Sequence, residues 1–171
     1  MTVKSREANP WGKRKLFTVE QANAALPLVR AITADLARLS CDVIERRERL
    51  SALLAGRERS APDLYGEELA HVDEELKRDS ERLQEYVEEL RELGVDPKNG
   101  PDGLVDFPAV IDGRKVYLCW KLGEPEVLHW HEVDAGFLGR QSLTADIATA
   151  SGALEGSGGG VDLHGLDESS N

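Results

Sequence analysis

Two segments of the chain repeat apolar residues at alternating steps of three and four. The first series runs Val29, Ile32, Leu36, Leu39, Val43, Arg46, Leu50, Leu53, and the second runs Leu69, Val72, Leu76, Asp79, Leu83, Tyr86, Leu90, Leu93. This heptad spacing is typical of helices that pack along a seam. Gly56, Pro62 and Gly66 between them favour a chain reversal. The pattern therefore predicts an antiparallel helical hairpin with a coiled-coil-like seam.

Each series contains one charged interruption, Arg46 in the first and Asp79 in the second. If Leu53 faces Val72, Arg46 falls opposite Asp79, and the two form a structural ion pair that fixes the register. The alternative is that both side chains extend to solvent. Opposite charge bias favours the pairing, since residues 28–59 hold seven Arg and five acids, whereas residues 60–93 hold twelve acids and four basic residues.

The helix boundaries follow from capping signals and proline. Thr18 and Gln21 have the spacing of a capping box, which predicts a helix start near residue 19. Pro27 would interrupt a helix already under way and is well suited to a first helical position. We therefore expect a short helix over 19–25, a long one over 27–55, and its partner over 63–93.

From residue 104 the pattern changes to short runs rich in β-branched and aromatic residues. They predict strands over about 104–111, 115–122 and 126–133. Asp112-Gly113 is a strong signal for a two-residue type I′ turn, and a second turn follows at 123–125. The fold class is thus α+β, a helical hairpin followed by a three-stranded antiparallel meander. Pro108 favours an edge position for the first strand.

The ends of the chain differ from this central part. Residues 1–15 are predicted to form a flexible basic arm in which only Trp11 favours docking, residues 16–143 a single α+β domain, and residues 144–171 a Gly/Ser/acidic tail predicted to be disordered. The formal net charge of −11 disfavours binding to nucleic acid or to an anionic membrane surface. The sequence has no apolar run long enough for a membrane span and no secretory signal. With two isolated cysteines, it favours a cytoplasmic protein.

The clearest candidate chemistry is the pair His129 and His131, whose spacing puts both side chains on one face of a strand. Two imidazoles make half of a site for a divalent transition metal. Asp134 is the third ligand that we favour, with Glu20 and His71 as alternatives. A two-residue turn at 124–125 would place His129 opposite Trp120 and His131 opposite Leu118, on the packed face. There, the histidines could instead be hydrogen-bonded core residues.

The segment DAGFLGRQ at 134–141 offers a second candidate. Gly139 and Arg140 would supply a backbone N–H and a guanidinium to an anion. The alternative is a turn closed by an internal ion pair between Arg140 and an acidic residue. Cys119, in the centre of a strand, is interpreted as inert packing rather than as a nucleophile.

Two blocks resemble a known family. FTVEQANAALP at 17–27 and VDFPAVIDGRKVYLCWKLGEPEVLHWHEVDAGFLGR at 105–140 are similar to an uncharacterised prokaryotic family, domain of unknown function family 2203. The resemblance covers roughly residues 16–142. It implies no reaction, ligand or site residue.

Two functions remain open on the sequence alone, because no motif specifies a reaction. The first is a non-catalytic module for protein interaction or oligomerisation, in which the hairpin presents a long acidic face to a protein partner. That partner is another protein or a second copy that packs on apolar positions such as Leu28, Leu54 and Val87. The alternative is a divalent-metal-binding protein, catalytic or not, with His129 and His131 as ligands and Arg140 steering an anionic substrate.

Overall fold

The computed structural model describes residues 11–55 and 66–144, and it contains two helices followed by a five-stranded antiparallel sheet. The α+β class is therefore confirmed. The sheet has five strands rather than the three that the sequence predicts, and the two additional strands are its edges. None of the helices in these residues is long and apolar enough to cross a membrane. The helices are α1 (Val19–Ala55) and α2 (Gly66–Glu92), and the strands are β1 (Asp96–Asn99), β2 (Leu104–Ile111), β3 (Arg114–Lys121), β4 (His129–Glu132) and β5 (Gln141–Ser142).

Helix α1 begins at the predicted capping box. The Gln21 backbone N–H donates to Thr18 Oγ1 and the Thr18 N–H donates to Gln21 Oε1, each at 3.1 Å. The predicted break at Pro27 is wrong, because the helix continues through it. A proline inside a helix costs about 3 kcal/mol. Pro27 is solvent-exposed, and burial of Leu26 and Val29 on either side of it offsets that cost.

Helices α1 and α2 form the antiparallel hairpin that the seam predicts. Arg46 Nη1 donates to Asp79 Oδ2 at 2.5 Å, and Arg47 Nη2 donates to Ser80 Oγ at 3.2 Å, one residue further along both helices. The Arg46 and Asp79 side chains are 39% and 24% exposed. Water therefore still hydrates both charges, so the pair defines register more than it adds stability.

The five strands follow chain order in the sheet, so β1 and β5 form its edges and β2 lies inside it. The edge position predicted for the strand that contains Pro108 is therefore wrong. The pairing of β1 ends at Asp106, before Pro108 is reached, so the missing N–H removes no bond to β1. Beyond that point the Pro108 carbonyl accepts a hydrogen bond from the Phe17 N–H at 2.8 Å.

Of the two connections predicted between the strands, the first is confirmed and the second is longer than predicted. Asp112 and Gly113 form the predicted two-residue turn, with φ of 51° and 76°. The connection from β3 to β4 is longer than predicted, because β3 ends at Lys121 and β4 begins only at His129. As a result His129 lies opposite Cys119 rather than Trp120, and His131 opposite Tyr117 rather than Leu118.

This shift of one residue moves both histidines to the other face of the sheet. One face packs against the helices and the other carries Asp106, Cys119, His129 and His131; we call the latter the polar face. The core between helices and sheet buries mainly aliphatic and aromatic side chains, including Leu26, Val29, Ile32, Leu36, Leu90, Val105, Phe107, Val116, Leu118, Trp120 and Trp130.

The half-exposed ion pair leads to a prediction about stability. We expect Arg46→Leu and Asp79→Leu each to lower the free energy of unfolding by about 1 kcal/mol, because the partner loses its counter-charge. The double variant should recover part of that loss, since it leaves no unpaired charge in the seam. Urea unfolding of the four proteins measures the coupling. Strictly additive effects would show that the contact does not contribute.

Candidate metal centre

A row of polar residues crosses the sheet on its polar face. Strand pairing places Asp96 opposite Asp106 and Asp106 opposite Cys119. It then places Cys119 opposite His129 and His129 opposite Ser142. Because side chains alternate along each strand, all five residues lie on the side away from the helices.

Three buried residues on the polar face bring potential metal ligands together, two of them in this row. Asp106 on β2, Cys119 on β3 and His131 on β4 each offer one ligand atom, and these atoms lie within 4.8 Å of one another. Among residues 11–55 and 66–144 this is the one such group. His131 reaches it diagonally, since it pairs with Tyr117, two residues before Cys119.

The His131 ring is held at both nitrogens. Its Nδ1 lies 2.7 Å from the Glu132 carbonyl oxygen, which can only accept, so Nδ1–H donates this bond. Its Nε2 lies 3.1 Å from Asp106 Oδ2. One proton is therefore shared between Nε2 and the carboxylate, and Nε2 is the nitrogen that points into the cluster.

Burial raises the pKa of the other two groups, Asp106 and Cys119. The pKa of Asp106 is raised by burial, which the nearby His131 partly opposes. Asp106 Oδ1 is buried and has no hydrogen-bond partner of ordinary geometry among the described residues, although the Cys119 thiol lies beside the carboxylate. Burial, followed by the charge of Asp106, raises the pKa of Cys119 to about 12.

This arrangement does not suit nucleophilic catalysis. A cysteine nucleophile needs a lowered pKa, solvent access and a histidine nitrogen that can take its proton. Cys119 is fully buried, its pKa is raised, and both nitrogens of His131 are engaged by other groups. The three side chains instead bring one potential ligand atom each close to the others.

The structure separates the predicted metal ligands. His131 belongs to the buried group, whereas His129 shares the polar face but has Nδ1 3.8 Å from Glu124 Oε1. Asp134 is exposed, as are the alternatives Glu20 and His71. The set of His129, His131 and Asp134 therefore does not converge.

The turn at 134–141 is closed by the internal ion pair that the sequence left as an alternative. Arg140 Nη2 donates to Glu124 Oε2 at 2.7 Å and lies 3.4 Å from the Cys119 carbonyl oxygen. The Gly139 N–H donates to the Gly136 carbonyl at 3.1 Å. The backbone donor of the predicted anion site is thus engaged within the protein, and the guanidinium lies against the polar face.

The N-terminal segment packs on the same face. The Trp11 indole N–H donates to the Ala109 carbonyl at 2.8 Å, and its ring centroid lies 4.8 Å from that of Tyr117. The Tyr117 ring is in turn 5.6 Å from the His131 ring, and its hydroxyl donates to Asp96 Oδ2 at 3.2 Å. Trp11 therefore docks beside the buried cluster.

Sequence reasoning missed Asp106 and Cys119, yet a signal was present. The two-residue turn at 112–113 by itself pairs Asp106 with Cys119, one acid and one thiol within two adjacent strands. What no local pattern indicated was the arrival of His131 beside them. That depends on the length of the β3–β4 connection.

The Glu124–Arg140 pair predicts a pH-dependent contribution to stability. Burial opposes ionisation of Glu124, but bonds from Arg140 and the Lys121 N–H outweigh it and lower its pKa. Because the folded-state pKa is lowered, this stabilisation is present above the ordinary glutamate pKa and is lost as the pH falls through the lowered value. We expect Glu124→Gln to lower the free energy of unfolding by about 1–3 kcal/mol at neutral pH.

Urea unfolding across a pH series measures this effect. The difference between wild type and Glu124→Gln should shrink as the acid limb is approached, where the wild-type carboxyl is itself protonated. Glu126→Gln, an exposed position two residues away, is the matched control. A difference that is constant with pH would mean that packing, not charge, sets the cost.

Comparison with known proteins assigns the chain to a family. The family model described as "Uncharacterized conserved protein (DUF2203)" matches residues 15–143. No curated protein and no solved structure matches the chain. The matched range contains the whole sheet, α1 and α2 and all three residues of the buried cluster. On this evidence the chain belongs to the DUF2203 family.

Proposed function

We propose that this protein binds one divalent transition-metal ion of the zinc class through Asp106, Cys119 and His131. The observation that supports this function is the convergence of three buried ligand atoms within 4.8 Å of one another. A tetrahedral ion with bonds of about 2.0–2.3 Å separates its ligand atoms by roughly 3.3–3.8 Å. Small side-chain adjustments therefore suffice to place all three around one ion.

The surroundings of His131 also support a ligand role. Histidine ligands usually donate the N–H of the second ring nitrogen to a carbonyl or carboxylate, which fixes the ring and the tautomer. His131 Nδ1 makes such a bond to the Glu132 carbonyl, leaving Nε2 toward Asp106 and Cys119. The unpartnered Asp106 Oδ1 is a further lone pair available to an ion.

The ligand types select the class of metal. A thiolate with an imidazole and one carboxylate suits Zn²⁺ and similar ions, whereas Mg²⁺ and Ca²⁺ prefer sets made of oxygen atoms. Binding would displace the thiol proton and the proton shared by Asp106 and His131. The bound ion would thus take the place of these protons and coordinate the side chains of the buried cluster.

Metal analysis with matched cysteine variants tests this function. We expect about one equivalent of zinc or cobalt per chain in the wild type, because three ligands are preorganised. Cys119→Ser should abolish the near-ultraviolet thiolate-to-cobalt absorption band, and Asp106→Asn or His131→Gln should weaken uptake. Cys41→Ser is the control at the exposed second cysteine.

Asp134→Asn separates this site from the set predicted by sequence, since Asp134 lies outside the buried group. Metal uptake that survives Cys119→Ser but fails with Asp134→Asn would contradict the assignment. A wild-type protein that folds and takes up neither ion would contradict metal binding altogether.

We also propose self-association through the end of the helical hairpin, residues 43–55 and 66–79, which we call the distal hairpin. The side chains of Ser40 and Cys41 on α1 contact the segment between β1 and β2. Further along α1, the side chains of Arg46 and Arg47 bond to α2 instead. Ile44 and Leu54 lie on the face of α1 that the sheet covers nearer the start of the helix. They are 44% and 49% exposed.

Charge favours a second copy as the partner. Residues 43–55 of α1 hold three Arg and two Glu, whereas residues 66–79 of α2 hold six acids and two basic residues. An antiparallel arrangement that sets α1 of one chain against α2 of the other brings opposite charges together and covers the apolar positions. Of the other positions proposed from sequence, Leu28 is exposed and Val87 packs against the core.

Light scattering of the full chain tests self-association. We expect a concentration-dependent dimer whose mass falls to that of the monomer in the double variant Ile44→Ser/Leu54→Ser, because the apolar contact is lost. Leu138→Ser, which removes a fully exposed leucine at the sheet end, is the control. A wild type that is monomeric at its highest soluble concentration would rule this surface out.

A further inference from the structure

Buried polar atoms without partners concentrate around Cys119. Five such side-chain atoms occur in the described part of the chain, and three of them belong to Asp106, His129 and Arg140. The remaining two, on Thr33 and Trp130, belong to the core between helices and sheet. Unpaired buried polar atoms are costly, so a cluster of them indicates a site that a ligand completes.

The three residues adjoin Cys119 from different directions. Asp106 is its neighbour on β2 and His129 is its neighbour on β4. Arg140 Nη2 lies 3.4 Å from the Cys119 carbonyl oxygen, and the guanidinium is close enough to the thiol to act on its ionisation. On the β4 side, His129 Nδ1, which lies 3.8 Å from Glu124 Oε1, and Arg140 Nε make no hydrogen bond, and both are nitrogens that can donate one.

We infer that the metal site keeps an exchangeable position on the side of His129 and Arg140, and that this position takes a small monodentate anion. This inference rests on the metal-binding function proposed above. Three protein ligands leave one position of a tetrahedral ion open, as in catalytic rather than structural zinc sites. The two unpartnered nitrogens supply the donors that such an anion needs.

Exposure indicates the side from which a ligand enters. The Asp106 and His131 side chains are each 3% exposed, which closes their side of the cluster. The side chains of His129 and Glu124 are 31% and 24% exposed, and that of Arg140 is 13% exposed. Each of these three side chains is more than two-thirds covered, so a ligand that enters past them is limited to a few non-hydrogen atoms.

Charge explains why Arg140 is needed. A carboxylate and a thiolate already neutralise a divalent ion, so a further anion would give the buried site a net negative charge. Arg140 provides a positive charge beside Cys119. Glu124 balances that charge but bonds only one edge of the guanidinium, so Nε is left to meet an anion. The affinity for the anion should therefore depend on Arg140 more than the affinity for the metal does.

Azide titration of the cobalt-loaded full chain tests this inference. We expect azide to shift the visible cobalt bands saturably in the wild type. Arg140→Gln should weaken azide binding about tenfold or more, as loss of one charge-assisted interaction implies. Arg140→Lys should restore part of the affinity, and Arg38→Gln, an exposed arginine on α1, is the control.

A second variant controls for loss of folding. Arg140→Gln leaves Glu124 without its partner, so the double variant Arg140→Gln/Glu124→Gln is measured beside it and should show the same weakening. Cobalt binding with the thiolate band but without an azide shift would overturn the open position while metal binding stands. Azide affinity unchanged in both variants would overturn the role of Arg140, and no cobalt binding at all would overturn both proposals.

Discussion

The register between β2 and β3 is the constraint on which the rest of this structure depends. The turn at 112–113 has positive φ at both residues, and it leaves no freedom in how the two strands align. Because side chains alternate, one alignment sends Phe107 and Trp120 to the helices and Asp106 and Cys119 to the other side. A slip of one residue would bury the acid in the apolar core.

The helices hold the third inner strand in place as well as covering the core. Asn23 on α1 accepts a hydrogen bond from the Val127 N–H at 2.8 Å, and Arg30 Nη2 donates to the Pro125 carbonyl at 2.9 Å. These bonds fix the β3–β4 connection against α1 and turn Val127 into the core. They thereby set the position at which β4 begins, and hence the face on which His131 lies.

A buried carboxylate beside a histidine is not an arrangement that stability alone favours. Replacing buried polar pairs with apolar residues is often neutral or stabilising, so retaining one needs another reason. In this chain Asp106 and His131 lie beside a thiol, and Asp106 keeps an unpartnered oxygen. A bound ion would satisfy all three groups at once, and this is the reason for the metal-binding function proposed above.

Several elements follow from short stretches of sequence. The capping box at Thr18 and Gln21 marks the start of α1, the turn at 112–113 fixes the first β-hairpin, and heptad spacing brings Arg46 to Asp79. Even the pairing of Asp106 with Cys119 follows from the turn. In each case the residues that determine the geometry are close in sequence, or are linked by a regular repeat.

Other features depended on contacts that no local pattern contains. Helix α1 continues through Pro27 because packing on either side of it outweighs the lost hydrogen bond, and the short edge strands β1 and β5 exist only beside the strands they pair with. The histidines shared one face, as the spacing predicts, but the length of a connection held by α1 decided which face it was. Local sequence patterns thus specify the helical hairpin, the first β-hairpin and the family. Long-range packing brings His131 to Asp106 and Cys119, because it sets the one-residue shift between strands that no local pattern contains.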